Sequence, residues 1–311
     1  MQIDEHISKN FSTLKFCSIL MVFFGHFFSK SIPLAWVPVT VGLLIFSFSS
    51  GFFTAIKYSG PFSKKEFWKR KIKRLGINLF VINIILLVLF LVQDRPGILS
   101  WHTLVNIFGL NGFLNWFFIQ NMSPYGNGMW FFTLLLIFYM VYPLLAKMGR
   151  KGIVVITLLW IGIAYYLSLN FGYGHALWLT SCGFIAGVCA GKTDFPISPG
   201  TSRKIAALCL AVMLALNVLF QNKIFNFFFI LIFSISFLHM SFDLKVPEKL
   251  FPVFAFFSTC LLEIYLFHTY FFVHVTTVLP VDFIISVLIV LFLSKVSSFV
   301  STLIVNIIEG D

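Results

Sequence analysis

The chain has 311 residues, of which 59% are apolar and only 11% charged, and it contains 42 Phe. Ordinary soluble domains carry about 45–50% apolar and about 25% charged residues, so a soluble globular enzyme, a disordered chain and a disulfide scaffold are excluded. The apolar runs are continuous rather than alternating, which excludes a membrane β-barrel and makes this an all-α polytopic membrane protein. The net charge of +11 does not point to nucleic acid, because the basic residues gather in particular loops.

In chain order, the apolar runs predict spans over 11–29, 34–56, 76–93, 128–147, 152–170, 173–191, 204–221, 224–241, 251–277 and 281–308. Each is near the roughly 20 residues needed to cross a bilayer. The first run lacks the basic start and small-residue cleavage site of a signal peptide, so it reads as a retained helix. Between the second and third spans, 62–75 is basic, with Trp68, Ile72 and Leu75 at helical spacing, and reads as an amphipathic helix on the inner surface. Its cations suit attraction to anionic lipid, and equally the mouth of a site for a polyanionic substrate. Segment 101–119 is apolar but broken by Gly109, Gly112 and two Asn, and is placed on the membrane surface or as a re-entrant piece.

Ten spans put both termini on one side. With that side cytoplasmic, the inner segments hold 17 Lys and Arg and the outer segments three, Lys30, Arg95 and Lys223, as the positive-inside rule requires. The chain reads as one integral-membrane domain over 1–311, a transmembrane bundle of about ten spans. Cys17, Cys182, Cys189, Cys209 and Cys260 all lie in apolar runs without CxxC spacing, so they read as small core residues. Neither a zinc site nor any other metal centre is supported, since HExxH, DxD and paired carboxylates are absent from the sequence.

Ionisable groups inside spans are costly and mark function. They are Lys15, His26, Glu263, His268 and Lys295; the remaining histidines, including His102, read as ring tips at the interface. Lys15 and His26 are eleven residues apart, hence within about 20° on one helix face and about 16 Å along its axis. Lys15 suits either snorkelling to headgroups or a cation site. His26 is the basic group of the outer half suited to proton transfer near neutral pH. Glu263 and Lys295 are placed to pair across the last two spans, because neither charge is tolerated alone in hydrocarbon. Ser298 and Thr302 extend a polar stripe from Lys295.

Five segments resemble the acyltransferase 3 family of bacterial integral-membrane acyltransferases. They are Leu14–Phe27 with its Lys15-to-His26 spacing, Phe46-Ser-Phe-Ser-Ser-Gly-Phe-Phe53, the basic run Phe67–Leu75, Met129-Trp-Phe-Phe leading to Tyr142-Pro143, and Ser258–His268 with its Ile-Tyr-Leu-Phe-His ending. The family often has acidic residues after the tryptophan; Leu135 and Leu136 stand there in this chain. Lys15 also stands where Arg is common.

The resemblance implies transfer of an acyl group, most often acetyl, from cytoplasmic acyl-CoA to a hydroxyl of a cell-envelope glycan or its lipid-linked precursor. The enzyme would sit in the inner membrane with acetyl-CoA as co-substrate and no tightly bound cofactor. On this reading His26 is the general base, or forms an acyl-imidazole. His268 lines the same cavity and orients the acceptor or donates to the oxyanion. Lys15, Arg70, Lys73 and Arg74 hold the coenzyme A phosphates, with Glu263, Lys295, Trp130 and Tyr265 in support. The competing reading is a transporter or flippase of lipid-linked sugar. That would favour inverted repeats and helices broken at mid-membrane, which the sequence does not clearly show.

Overall fold

The computed structural model describes residues 5–171, 174–193, 199–219, 225–242 and 246–309. All regular structure among them is helical, in the order α1 (Glu5–Phe27), α2 (Trp36–Lys57), α3 (Lys64–Val92), α4 (Trp101–Ile107), α5 (Asn111–Trp116), α6 (Trp130–Ala146) and α7 (Arg150–Asn170). There follow α8 (Gly174–Lys192), α9 (Pro199–Leu219), α10 (Asn226–Ser241), α11 (Phe251–Ser258), α12 (Leu261–Phe267), a 3-10 turn (His268–Tyr270) and α13 (Leu279–Glu309). Each of the ten apolar runs overlaps a helix among the described residues, although 271–277 of the ninth is not helical. Among the described residues six helices are long and apolar enough to cross a membrane, α1, α2, α3, α7, α9 and α13, and the pair α11 and α12 passes the same test as a broken span. Helices α6 and α10 are apolar but shorter. Lys223 and Lys245, counted in the loop charge, lie outside the described residues.

Three expectations change. The basic segment is not a separate surface helix: it is the first part of α3, one helix of 29 residues that begins at the Ser63 cap, whose hydroxyl accepts from Glu66 N at 3.3 Å. Nothing between Lys64 and Val92 breaks a helix except Gly76, which costs about 1 kcal/mol and does not stop propagation. At 1.5 Å per residue the helix is about 43 Å long, enough for the hydrocarbon and both headgroup layers. The ninth span, conversely, is interrupted at Thr259 and Cys260. All five cysteines are free thiols, but Cys17 is exposed and is no core residue.

The chain divides into two compact units, 1–61 with 142–258 and 62–141 with 259–311. In the first, α2 is the central helix, packed by α1, α8 and α10. Glycine makes these approaches possible. A Cβ on Gly42 would stand 2.5 Å from Ser18 O of α1, and one on Gly51 would collide with Phe184 O of α8. The Ser-Gly-Phe run of the second span is thus a packing seam. Phe11 stacks on Phe52 at 5.4 Å across it. Lys192 donates to the carbonyls of Leu145, Ala146 and Met148 at 3.0, 2.7 and 2.6 Å, satisfying the groups that the end of α6 leaves over. In the second unit α3, α12 and α13 pack on one another, and 94–129 adds an irregular segment.

Candidate functional site

In the first unit, Lys15 and His26 lie on one unbroken helix, so the shared stripe and the spacing of about 16 Å follow from its geometry. Both are half-buried. The Lys15 ammonium sits 5.3 Å from the centre of the Phe53 ring, joining the first two motif segments through a cation–π contact. Gly25 fixes the neighbourhood of His26, because a Cβ there would run into Val39 and Ala35 O, so α1 and α2 touch backbone to backbone beside the imidazole.

The second unit contains a pocket of about 420 Å³ built on three helices. Arg70, Lys73, Arg74 and Asn78 recur at three and four residues, so one face of α3 supplies one wall. Ser298, Ser301, Thr302 and Glu309 of α13 supply another, and Thr259 and Glu263 complete it. The helices run antiparallel, since Lys73 meets Glu309 at 2.5 Å while Asn78 meets Glu263. From Arg70 to Asn78 is eight residues, and from Glu309 to Ser298 eleven, so the pocket runs about 12–16 Å along the helices. Cations crowd its rim. Its floor is an amide, a carboxylate and hydroxyls.

Glu263, 1% exposed, accepts from Asn78 Nδ2 at 2.9 Å. Lys295 donates to Thr259 Oγ1 at 3.0 Å. Besides these neutral partners, the charges of Arg74 and Lys295 both act on the Glu263 carboxylate. Asn78 was not singled out from the sequence, although its position four residues after Arg74 puts it on the cationic face. Ser301 Oγ is buried on the pocket wall without a hydrogen-bond partner among the described residues.

The end of the late motif, beyond Glu263, does not line this pocket. His268, also 1% exposed, opens the 3-10 turn, and its Nδ1 meets Tyr265 O. A carbonyl only accepts, so in the neutral ring Nδ1 carries the proton and Nε2 the lone pair. His268 can then take a proton or orient a hydroxyl; donating to an oxyanion requires the imidazolium. Around it, Tyr265 OH donates to Gly128 O and accepts from Phe131 N at 3.3 Å. Thr269 donates to Asn127 O at 3.0 Å, and Tyr270 OH accepts from Asn127 N at 2.9 Å. These bonds tie the turn to the start of α6, where Trp130 is buried. Thr269 and Tyr270 were missed in the sequence; their place directly after the histidine was the available signal. His26 belongs to the first unit and His268 to the second. Among the described residues no group of three His, Cys, Asp or Glu is placed to hold a metal.

Apolar spans, buried ionisable groups and a cation-rimmed polar pocket define a membrane-embedded helical protein. The acyltransferase domain that defines the acyltransferase 3 family matches residues 9–306, nearly the whole chain, and the chain belongs to that family of membrane acyltransferases. No curated protein and no solved structure matches it.

Proposed function

We propose that this protein moves an acetyl group from cytoplasmic acetyl-CoA to a hydroxyl of a cell-envelope glycan or its lipid-linked precursor, in the inner membrane, through ten spans with both termini cytoplasmic. The observation that carries the reading is the cation-rimmed pocket. Arg70, Lys73 and Arg74 gather at one mouth, and phosphate groups are bound by such clusters through short charge-assisted hydrogen bonds. A volume of about 420 Å³ lies within the usual range for small-ligand sites. The positive-inside arrangement assigns the start of α3 to the cytoplasm, the compartment of acyl-CoA. The hydroxyl and amide floor beyond the rim suits the polar arm that follows the phosphates.

The reaction needs a base near neutral pH and a leaving thiolate. His26 takes the proton of the acceptor hydroxyl as its oxygen attacks the thioester carbon. The carbon–sulfur bond then breaks, the acetyl ester remains on the acceptor, and coenzyme A leaves with its sulfur protonated. Lys15 adds a cation for the donor's phosphates. The test is transfer of labelled acetyl from acetyl-CoA to envelope glycan by the purified protein in vesicles, with His26→Ala alongside. Wild-type transfer and its loss in a His26→Ala protein that still inserts are expected. Wild-type protein that moves lipid-linked sugar across the vesicle without labelling it would replace the acyltransferase reading by the flippase.

A further inference from the structure

The segment between α3 and α6 has its polarity inside out. From Pro96 to Ala146 the sequence contains no Lys, Arg, Asp or Glu. On α4, Trp101, Leu104 and Phe108 share one face and are exposed, Trp101 at 57%, while His102, Thr103 and Asn106 are buried. Helix α5 and its exit repeat the pattern, with Phe113, Phe117 and Phe118 outside and Asn111 inside. A segment facing water would show the reverse, and an exposed apolar surface this continuous marks a partner.

The buried polar groups serve the irregular backbone. Asn83 donates to Ile107 O and Thr133 to Gly109 O, at 3.0 and 2.7 Å. Asn106 donates to Tyr125 O and Asn121 Oδ1, both at 3.1 Å, and Asn111 to Gly126 O. Thr103 and Ser123 share a hydroxyl bond of 2.7 Å. Among the described residues every positive φ, at Asp94, Gly97, Gly109, Phe118, Gly126 and Gly128, lies in this one segment. Non-helical backbone survives at hydrocarbon depth only where protein groups satisfy it. An amide-lined interior and an aromatic exterior are that solution; in water, solvent would serve the same carbonyls at no cost in buried asparagine.

We propose that Gly97–Tyr125 is a re-entrant element immersed in the bilayer, with the acyl chains of membrane lipid covering Trp101, Leu104, Phe108 and Phe117. The buried place of His102 follows from the same polarity, since its ring belongs to the sealed interior and not to the interface. Through Asn127 and Gly128 the element leads directly into the bonds that hold the His268 turn.

The test puts single cysteines at Leu104→Cys, Phe108→Cys and Phe117→Cys in full-length Cys17→Ser protein. Each is spin-labelled and reconstituted in phosphatidylethanolamine/phosphatidylglycerol vesicles, with Arg95→Cys as the aqueous control. Collision with oxygen should exceed collision with a water-soluble nickel chelate at all three sites, and the order should reverse at 95. Chelate access equal to the control overturns the proposal, and so does exclusion of both reagents, which would make the surface a protein interface. Independently of those variants, the emission lost on Trp101→Phe should be quenched in wild-type protein by brominated acyl chains and not by iodide; the opposite pattern also overturns it.

Discussion

Removing one oxygen atom from Tyr265 tests the link between the late motif and the tryptophan helix. In Tyr265→Phe the ring keeps its edge contact with Phe131, centroids 5.3 Å apart, so packing is unchanged. What disappears is the hydroxyl that accepts from Phe131 N and donates to Gly128 O. Phe131 N is one of the first four amides of α6, which have no partner within the helix, and it is buried, so water does not replace the tyrosine. Stranding a buried donor or acceptor costs about 1–3 kcal/mol, so the two groups together set an upper bound of about 2–6 kcal/mol, with the half-buried Gly128 O contributing the smaller share. Tyr270→Phe is the internal control. Its hydroxyl accepts from Asn127 N at an exposed position, where loss of the bond costs about 0.5–1.5 kcal/mol. Thermal unfolding in detergent micelles should therefore rank wild type above Tyr270→Phe and that above Tyr265→Phe. The double variant should fall short of additivity, because both tyrosines hold the same loop. Acyl transfer should lose kcat in Tyr265→Phe with KM for acetyl-CoA unchanged, since the hydroxyl faces α6 and does not line the cation-rimmed pocket. A Tyr265→Phe protein that unfolds with wild type, or a Tyr270→Phe that costs more, refutes the reasoning.

The remaining expectations concern charge. Arg70→Ala and Arg74→Ala should each weaken acetyl-CoA binding about 10–100-fold, the value of one charge-assisted hydrogen bond of about 1.5–3 kcal/mol, while exposed positions leave the unfolding temperature unchanged; calorimetric titration reads the first and a melt the second. Lys15→Ala should weaken binding of the same ligand while Lys15→Arg, which keeps a cation over the Phe53 ring, retains it; equal affinity in all three proteins would leave Lys15 a headgroup anchor. Lys192→Met should lower the unfolding temperature without changing KM, because it removes a charged donor from three carbonyls at and just after the end of α6, of which Leu145 O keeps Met148 N.

Where the chain obeys helical periodicity, the sequence was legible. The ten apolar runs overlap helices among the described residues, and Arg70, Lys73 and Arg74 of the basic amphipathic segment line one pocket. Reading failed where a contact depends on two distant segments meeting. Nothing in the order of residues couples Asn78 to Glu263, 185 positions apart. The expected carboxylate–lysine pairing rested on matching depth across two spans, an argument that carries no information about the amide a third helix brings to Glu263. Lys192 shows the same limit. Counted as a loop charge, it ends a helix, and its ammonium finds carbonyls 44 to 47 residues earlier.

The irregular segment was ambiguous for a different reason. Hydropathy windows measure how apolar a run is, and 97–125 is too short and too broken to read as a span yet too apolar to read as a loop. Which of its faces is buried decides between the alternatives, and that face is chosen by tertiary contacts. Once Asn106, at 0% exposure, and Asn111, at 1%, are seen turned inward, the same residues that looked like helix breakers become the partners of the carbonyls they expose. The asparagines and the glycines then have one explanation. Glycine at 97, 109, 126 and 128 lets the backbone turn through positive φ, each turn removes carbonyls from helical pairing, and the amides restore their bonds where water is absent. Substituting Asn106 by Leu, which an apolar-core view would tolerate, should on this argument cost more stability than Leu104→Asn costs in micelles, because the first removes the hydrogen bonds of a fully buried amide to Tyr125 O and Asn121 Oδ1 and the second alters a side chain that is 62% exposed.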